Sequence, residues 1–428
     1  SVRHLCRPIE LRLSWLSSQS TSAYTMPMQP FNEKKPSSLS PEILRALAKV
    51  SSERDLQGEA LAQAVVKLSR LFTTARATLP PRYLDDPAHA SAYLSYFLPV
   101  NLSKVQALMD ELPSDGGTNT PERPMAVLDL GCGPGTGALA LLDWLWHRSS
   151  EQAKSVSVLA ADAFHAPLGD TERLWEAYCQ EVGISTSGLR CVEGNLEHPL
   201  KGNLGKQIVR GGPYDLIIMA NCLNELFLAS VDPPAERAVV VTQLLPFLAP
   251  HGSIMIVEPA LRQTARALHH MRNHLLKQGL CTVYSPCLHE GACPALDHPD
   301  DWCHEERPWQ TPPAIAAIDR DVGFIKDALK FSYLLLRTDG RTIATRSPQT
   351  FRVVSELREL KGDKRAWLCN ELGRSEVGRL DRAESATNAV WEACQRGSII
   401  RLEGVKRKEG STLGRIPAEG TVEMIRPA

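Results

Sequence analysis

At 428 residues and 43% hydrophobic content the chain exceeds one ordinary domain, so two or three units are expected. A formal charge of −1 excludes a global basic field, and any nucleic-acid contact must come from local patches. No run of about 18 apolar residues occurs, so no membrane-spanning helix is expected.

Residues 1–25 carry Arg3, Arg7 and Arg12, many serines and only Glu10 as an acid, as mitochondrial transit peptides do. Met26 and Met28 offer a competing start, and residues 1–38 read as a disordered or mis-annotated leader either way. Ser40-Pro41-Glu42 then spells an N-cap, a proline at the first helical position and an acid in the first turn. Residues 39–112 follow a helical pattern, punctuated by Pro80-Pro81 and Pro99. Residues 113–124, rich in Gly, Ser, Thr and Pro, read as a linker.

The stretch 126–139, AVLDLGCGPGTGAL, joins a buried strand to a glycine-rich turn and a helix, the first unit of a nucleotide-cofactor fold. The dinucleotide fingerprint needs a glycine where Thr136 stands. The run resembles instead the first motif of S-adenosylmethionine-dependent methyltransferases, with Asp129, Gly131, Gly133 and Gly135 as cofactor-binding candidates.

Alternating strands and helices continue, implying a parallel doubly wound sheet. A second strand at 156–161 ends at Asp162, placed either to accept hydrogen bonds from ribose hydroxyls or to cap the next loop. A helix spans 174–182, and a short third strand at 189–192 precedes Asn195, a candidate adenine contact. The fourth strand, 214–220, ends in Asn221-Cys222-Leu223-Asn224-Glu225, which the carboxyl-end rule places at the ligand crevice; Asn221 joins the cofactor candidates. A fifth strand covers 253–258. The helix at 259–279 carries Arg262, Arg266, His269, Arg272 and Lys277 on a face read as solvated, or as able to meet phosphate.

Residues 281–310 break the pattern. Cys287 and Cys293 are six apart, Cys303 lies ten further on, and Pro286 and Pro294 flank the first two. Eleven cysteines in a chain of reduced, cytosol-like character suggest metal rather than disulfide. The short Cys-x-x-Cys knuckles of structural zinc sites are missing, while iron–sulfur clusters take four thiolates that distant segments can supply. Cys281, Cys369 and Cys394 are candidates for the fourth, with His289 and His304 as ligands of a mixed zinc site.

The stretches VLDLGCGPGTGALAL, YDLIIMANCLNEL, IMIVEPA, YSPCLHEGACPAL and DWCHEERPW together resemble the mitochondrial small-ribosomal-subunit methyltransferase-like proteins and their bacterial relatives. The resemblance implies an α/β fold with a Rossmann-like class I methyltransferase domain over 125–340 and a Cys-rich insertion at 281–310. It also implies S-adenosylmethionine and a 4Fe-4S cluster on Cys287, Cys293, Cys303 and Cys369, with zinc the alternative and Cys281 the competitor for the fourth position. The partner implied is the small ribosomal subunit or its rRNA, met by a chain that is monomeric off the ribosome and touches no membrane. The compartment is the bacterial cytoplasm, or the mitochondrial matrix if residues 1–25 are a transit peptide.

A helix is expected over 319–329 and a late strand over 331–336. Short strands within 350–428 suggest a small OB-like β-barrel, with 15 Lys/Arg against 12 Asp/Glu from Phe351 onward and a basic tip at Lys406-Arg407-Lys408. No recognised catalytic set follows the fourth strand: the Asn/Asp-Pro-Pro-aromatic loop of amino methylases and the Pro-Cys of cytosine C5 methylases are both missing. An rRNA methyltransferase and a non-catalytic ribosome-assembly factor with the same fold both remain open. A radical methylase would need a Cys-x-x-x-Cys-x-x-Cys triplet, which the chain lacks.

Overall fold

Ser40 caps the first helix as its sequence dictates, its hydroxyl accepting the Ile43 amide at 3.1 Å. This computed structural model describes residues 37–113 and 123–428. The expected leader, but for its last two residues, and the expected linker, but for its ends, lie outside them. The N-terminal layer comprises α1 (Pro41–Ser52), α2 (Gly58–Phe72), α3 (Pro87–Ala92) and α4 (Leu98–Met109). Pro99 does not interrupt it. A π turn at Tyr93–Phe97 leads directly into α4, so the missing N–H of Pro99 falls in a first turn.

The central sheet is built from β1 (Ala126–Leu130), β2 (Ser157–Asp162), β3 (Leu189–Glu193), β4 (Tyr214–Ala220), β5 (Leu248–Pro259), β6 (Thr282–Ser285), β7 (Glu305–Pro308) and β8 (Ala328–Arg337). Its order is β3-β2-β1-β4-β5-β8-β6, with β7 also on β8. The first five strands run parallel, and β8 is antiparallel to β5, β6 and β7. The helices between them are α5 (Thr136–Arg148), α6 (Ser150–Ser155), α7 (His165–Val182), α8 (Gly202–Gly211), α9 (Pro233–Leu244), α10 (Arg262–Lys277) and α11 (Pro313–Val322). Strand alternation divides the core. Val127, Leu216 and Ile218 face the layer that holds α1, α4, α5 and α7, while Leu128, Ile217 and Met219 face α8, α9 and α10.

Several elements differ from expectation, among them β6 and β7, which join the central sheet from within the 281–310 stretch read as outside the pattern. Helix α7 starts nine residues before 174, α8 carried no signal that singled it out, and α11 ends well before 329. Gly323, at φ 71°, closes α11 and frees the chain to enter β8.

The remaining strands, β9 (Thr350–Val353), β10 (Arg358–Leu360), β11 (Asp363–Asn370), β12 (Gly373–Leu380), β13 (Ile399–Glu403), β14 (Lys406–Arg407), β15 (Gly414–Ile416) and β16 (Thr421–Arg426), form a second sheet. Its order, β14-β15-β12-β11-β9-β13-β16 with β10 on β11, is a curled half-barrel around Trp391, Leu368 and Ile400.

A buried ionic cluster joins the three parts. Glu111, just past α4, accepts hydrogen bonds at 2.6 Å from the hydroxyls of Tyr333 on β8 and Ser285 on β6. Arg307 on β7 reaches Glu111 at 2.5 Å, and Arg352 on β9 donates to Glu305 on β7 at 2.9 Å. All four charged side chains are at most 7% exposed. Burial alone pushes the Glu111 carboxyl up, but Arg307 and Arg352 hold it at about 2. The stabilisation from that depressed value is present above the usual glutamate range and is lost as pH falls toward 2. Glu111→Gln leaves a buried guanidinium under-compensated and is expected to lower stability by about 3–5 kcal/mol in urea denaturation at pH 7.

Candidate functional site

Two constellations stand out. The first is the crevice at the switch point between β1 and β4, where the strand order turns from β2 to one side and β5 to the other. Gly131, Gly133 and Gly135 all take positive φ (75°, 53° and 88°), which only glycine adopts freely. A side chain at Gly131 would also collide with Cys222 at 2.3 Å, and one at Gly137 with Asp129 at 2.6 Å. The turn is therefore fixed by packing as well as by conformation.

Asp129 is wholly buried. One oxygen accepts the Ala138 amide at 2.8 Å, the other has no partner, and burial pushes its pKa to about 7. Asp162 accepts the Gly133 amide at 3.0 Å and the Phe164 amide at 3.1 Å, so it shapes the turn with both oxygens. Asn221 sits at φ 59° at the end of β4, its amide donating to the Val257 carbonyl at 2.7 Å. Asn195 is exposed and folds back on the Glu197 amide at 2.8 Å, although the adjoining Leu196 packs beside Gly131. Cys222 lies under Gly131 and donates to the Leu130 carbonyl at 3.2 Å, with its thiol pushed well up by burial. It is a packing residue.

The crevice also holds Glu225, which the sequence placed in the loop after the fourth strand, and other groups that it did not single out. Glu258 ends the apolar run of β5; one oxygen accepts the Asn224 amide at 3.3 Å and the other is buried without a partner. Burial pushes Glu258 and Glu225 to about 7, with Arg76 partly opposing the shift in both. Tyr83 and Tyr93 enter from the N-terminal layer, their phenols pushed up by burial and by the nearby Glu225 and Asp162, that of Tyr93 to about 12. The carboxyl-end rule would have found Glu258, whereas Arg76, Tyr83 and Tyr93 carried no local signal. Buried, partly unpartnered acids of this kind can hold protons at neutral pH or meet a cationic ligand.

The second constellation is a cavity lined by Cys287, Cys293, Cys303 and Cys369, together with His289, Trp302, Arg352 and Arg374. Three of the thiols come from the loops between β6 and β7, and the fourth from β11 of the half-barrel. Cys281 lies instead in the core beside Val283 and Leu334, and Cys394 in the half-barrel core with Trp391. His289 Nε2 is 3.7 Å from Cys369 Sγ, while His304 pairs with Glu306 at 3.2 Å. Burial raises the Cys287, Cys293 and Cys369 thiols, the last further through its cysteine neighbours. Among the described residues, no three cysteine sulfurs lie within 4.8 Å of one another. Four sulfurs around one zinc at 2.3 Å would stand only about 3.8 Å apart.

The basic face of α10 is solvated only at its ends, Arg262 and Lys277; Arg266, His269 and Arg272 turn onto the Cys-rich segment. Arg272 is wholly buried and donates to the carbonyls of His289 at 2.5 Å and Gly291 at 2.8 Å. Arg266 binds the carbonyls of His298 at 2.7 Å and Asp301 at 2.8 Å, and His269 stands 3.3 Å from that of Cys303. These side chains grip the Cys-rich segment because its irregular backbone leaves carbonyls that a helix or strand would have paired.

A family model described as mitochondrial small ribosomal subunit Rsm22 matches residues 87–379. No curated protein matches the chain. Solved structures similar to it include the glycopeptide N-methyltransferase MtfA with S-adenosyl-L-homocysteine, at 15% identity, TM-score 0.25, covering 36% of this chain and 47% of that one. The CcbJ methyltransferase of Streptomyces caelestis is similar at 20% identity and TM-score 0.26, over 39% and 56%. The ribosomal protein L11 methylase of Lactobacillus delbrueckii subsp. bulgaricus is similar at 18% identity and TM-score 0.26, over 42% and 70%. The chain thus spans about half the length of the first two. Among the described residues, no helix is long and apolar enough to cross a membrane.

A glutamate raised to about 7 in the fold loses its favourable protonated state as pH climbs from the ordinary range through 7. Glu258→Gln removes that loss. The variant's melting temperature relative to the parent is expected to rise between pH 5.5 and pH 8, and a constant difference would show that Glu258 does not titrate there.

Proposed function

This chain belongs to the mitochondrial small ribosomal subunit Rsm22 family, and on that premise we propose that it is an S-adenosylmethionine-binding, methyltransferase-like protein carrying a 4Fe-4S cluster and acting on the small ribosomal subunit or its rRNA. One observation carries the reading: the family match, over residues 87–379, takes in both the glycine turn and all four pocket cysteines.

The crevice suits a cationic cofactor. S-adenosylmethionine bears a sulfonium and an ammonium group, and Asp129 and Glu258 each offer a buried carboxylate oxygen without a partner. Gly131, Gly133 and Gly135 would let the cofactor approach the main chain, with Asp162 holding the turn in shape. Asn221 and Asn224 would form the wall on the β4 side. Methyl transfer then requires alignment of the acceptor with the sulfonium methyl, which the crevice would supply by orientation. Cys222 is ruled out as a nucleophile by its burial and its bond to Leu130. With no recognised catalytic set after the fourth strand, one alternative stands beside the enzyme, a non-catalytic assembly factor that binds rRNA through the same fold. Small-subunit rRNA methylation, mapped with and without the gene, separates the two: a missing methyl group identifies an enzyme, and an unchanged pattern with an assembly defect identifies the factor.

The donor set of the second pocket fits a cluster better than one zinc. Four thiols and no carboxylate line it, and they are spread too widely for a single tetrahedral ion. Arg352 and Arg374 line the same cavity and would offset the negative charge of four thiolates. When bound, such a cluster supplies a rigid cross-link or a one-electron centre. Anaerobically purified protein is expected to be brown, with about four irons per chain. Cys369→Ser should lose that iron and Cys281→Ser should keep it; the reverse result would move the fourth ligand, and colourless protein with one zinc would refute the cluster.

A further inference from the structure

The thiol cavity contains more than thiols. Trp302 and Arg374 line it, and Trp302 Nε1 and Arg374 Nε are both buried without a hydrogen-bond partner. Arg272 Nε, on the α10 side, is a third such donor. Native folds rarely leave buried N–H groups unpaired, because the desolvation penalty is then uncompensated.

Their placement in the chain is specific. Trp302 immediately precedes Cys303. Arg374 on β12 stands directly opposite Cys369 on β11, so the two side chains share one face of the hairpin. Arg272 supports the loop after Cys287 through the carbonyls of His289 and Gly291. Each orphan donor therefore accompanies a different pocket cysteine. The rest of each side chain is already fixed. The Trp302 ring stacks on His304 at 5.7 Å, and Arg374 sits 5.1 Å over the Trp367 ring while its terminal nitrogen pairs with Asp301. Only the unpaired N–H remains to be satisfied, and the cavity offers sulfur acceptors.

Resting on the reading that this pocket holds a 4Fe-4S cluster, we infer that Trp302 and Arg374, with Arg272 behind them, are positioning residues whose N–H groups donate to the centre's sulfurs and raise its reduction potential. Such donors and the guanidinium charge stabilise the reduced cluster, which carries one more negative charge, more than the oxidised one.

The test is a redox titration of the anaerobically purified full chain, followed by visible absorbance, with iron counted in parallel. Trp302→Phe keeps an aromatic ring beside His304 and removes the N–H donor together with the fused five-membered ring that carries it. Arg374→Lys keeps the charge and the reach to Asp301 and removes Nε. Each variant is expected to retain four irons and to show a more negative midpoint potential than the parent, with the double variant more negative still. Unchanged potentials with iron intact overturn the inference and leave the cluster reading standing. A parent that binds no iron overturns both. If Trp302→Phe fails to load, the Arg374→Lys potential decides alone.

Discussion

The buried cluster of Glu111, Glu305, Arg307 and Arg352 is the constraint on which the arrangement of the chain depends. Desolvating four charges is costly, and the cost is offset only where each charge meets opposite charge and hydrogen bonds at close range. Here the partners come from the end of the helical layer, the outer strands of the central sheet and the first strand of the half-barrel. The three parts must assemble together for all four charges to be compensated. Arg352 also lines the thiol cavity, so the interaction that seats the half-barrel on the central sheet brings Cys369 to the other three cysteines.

The two sites have opposite electrostatic characters. The crevice gathers Asp129, Asp162, Glu225 and Glu258, opposed mainly by Arg76 and Arg237, and burial drives several of the acids toward neutrality. The thiol pocket gathers Arg272, Arg352 and Arg374 around groups that are neutral as thiols and anionic as ligands. An acidic crevice discriminates for cations, and a cationic pocket for a multiply charged anionic centre. Each local imbalance points to the ligand charge that would relieve it.

Features governed by local chemistry were legible in the sequence. The Ser40 cap, the strand–glycine turn–helix unit at 126–139 and the apolar runs of β4 and β5 depend on spacing alone, and the structure shows each of them. Features governed by tertiary contact were not. The cationic face of α10 has the periodicity of a solvated helix, and only the carbonyls of the Cys-rich segment turn Arg266 and Arg272 inward. Cysteine spacing could not separate Cys369 from Cys281 and Cys394, because 65 residues and a change of sheet lie between Cys303 and Cys369. Tyr83 and Tyr93 look like ordinary core aromatics until the N-terminal layer folds over the crevice.

The antiparallel strand β8 explains why both sites occupy one edge of the sheet. Running against β5, it places Ser332 opposite Glu258, at the carboxyl end where the crevice lies. The Ser332 hydroxyl donates to the Cys303 carbonyl at 2.7 Å, and one residue on, Tyr333 joins the Glu111 cluster. A parallel strand in this place would have carried its residues to the edge in the reverse order and left the Cys-rich loops at the far end of the sheet. The reversal of one strand therefore sets crevice, thiol pocket and ionic cluster within a few residues of one another. Fully packed side chains, not a flexible linker, fix the distances between them.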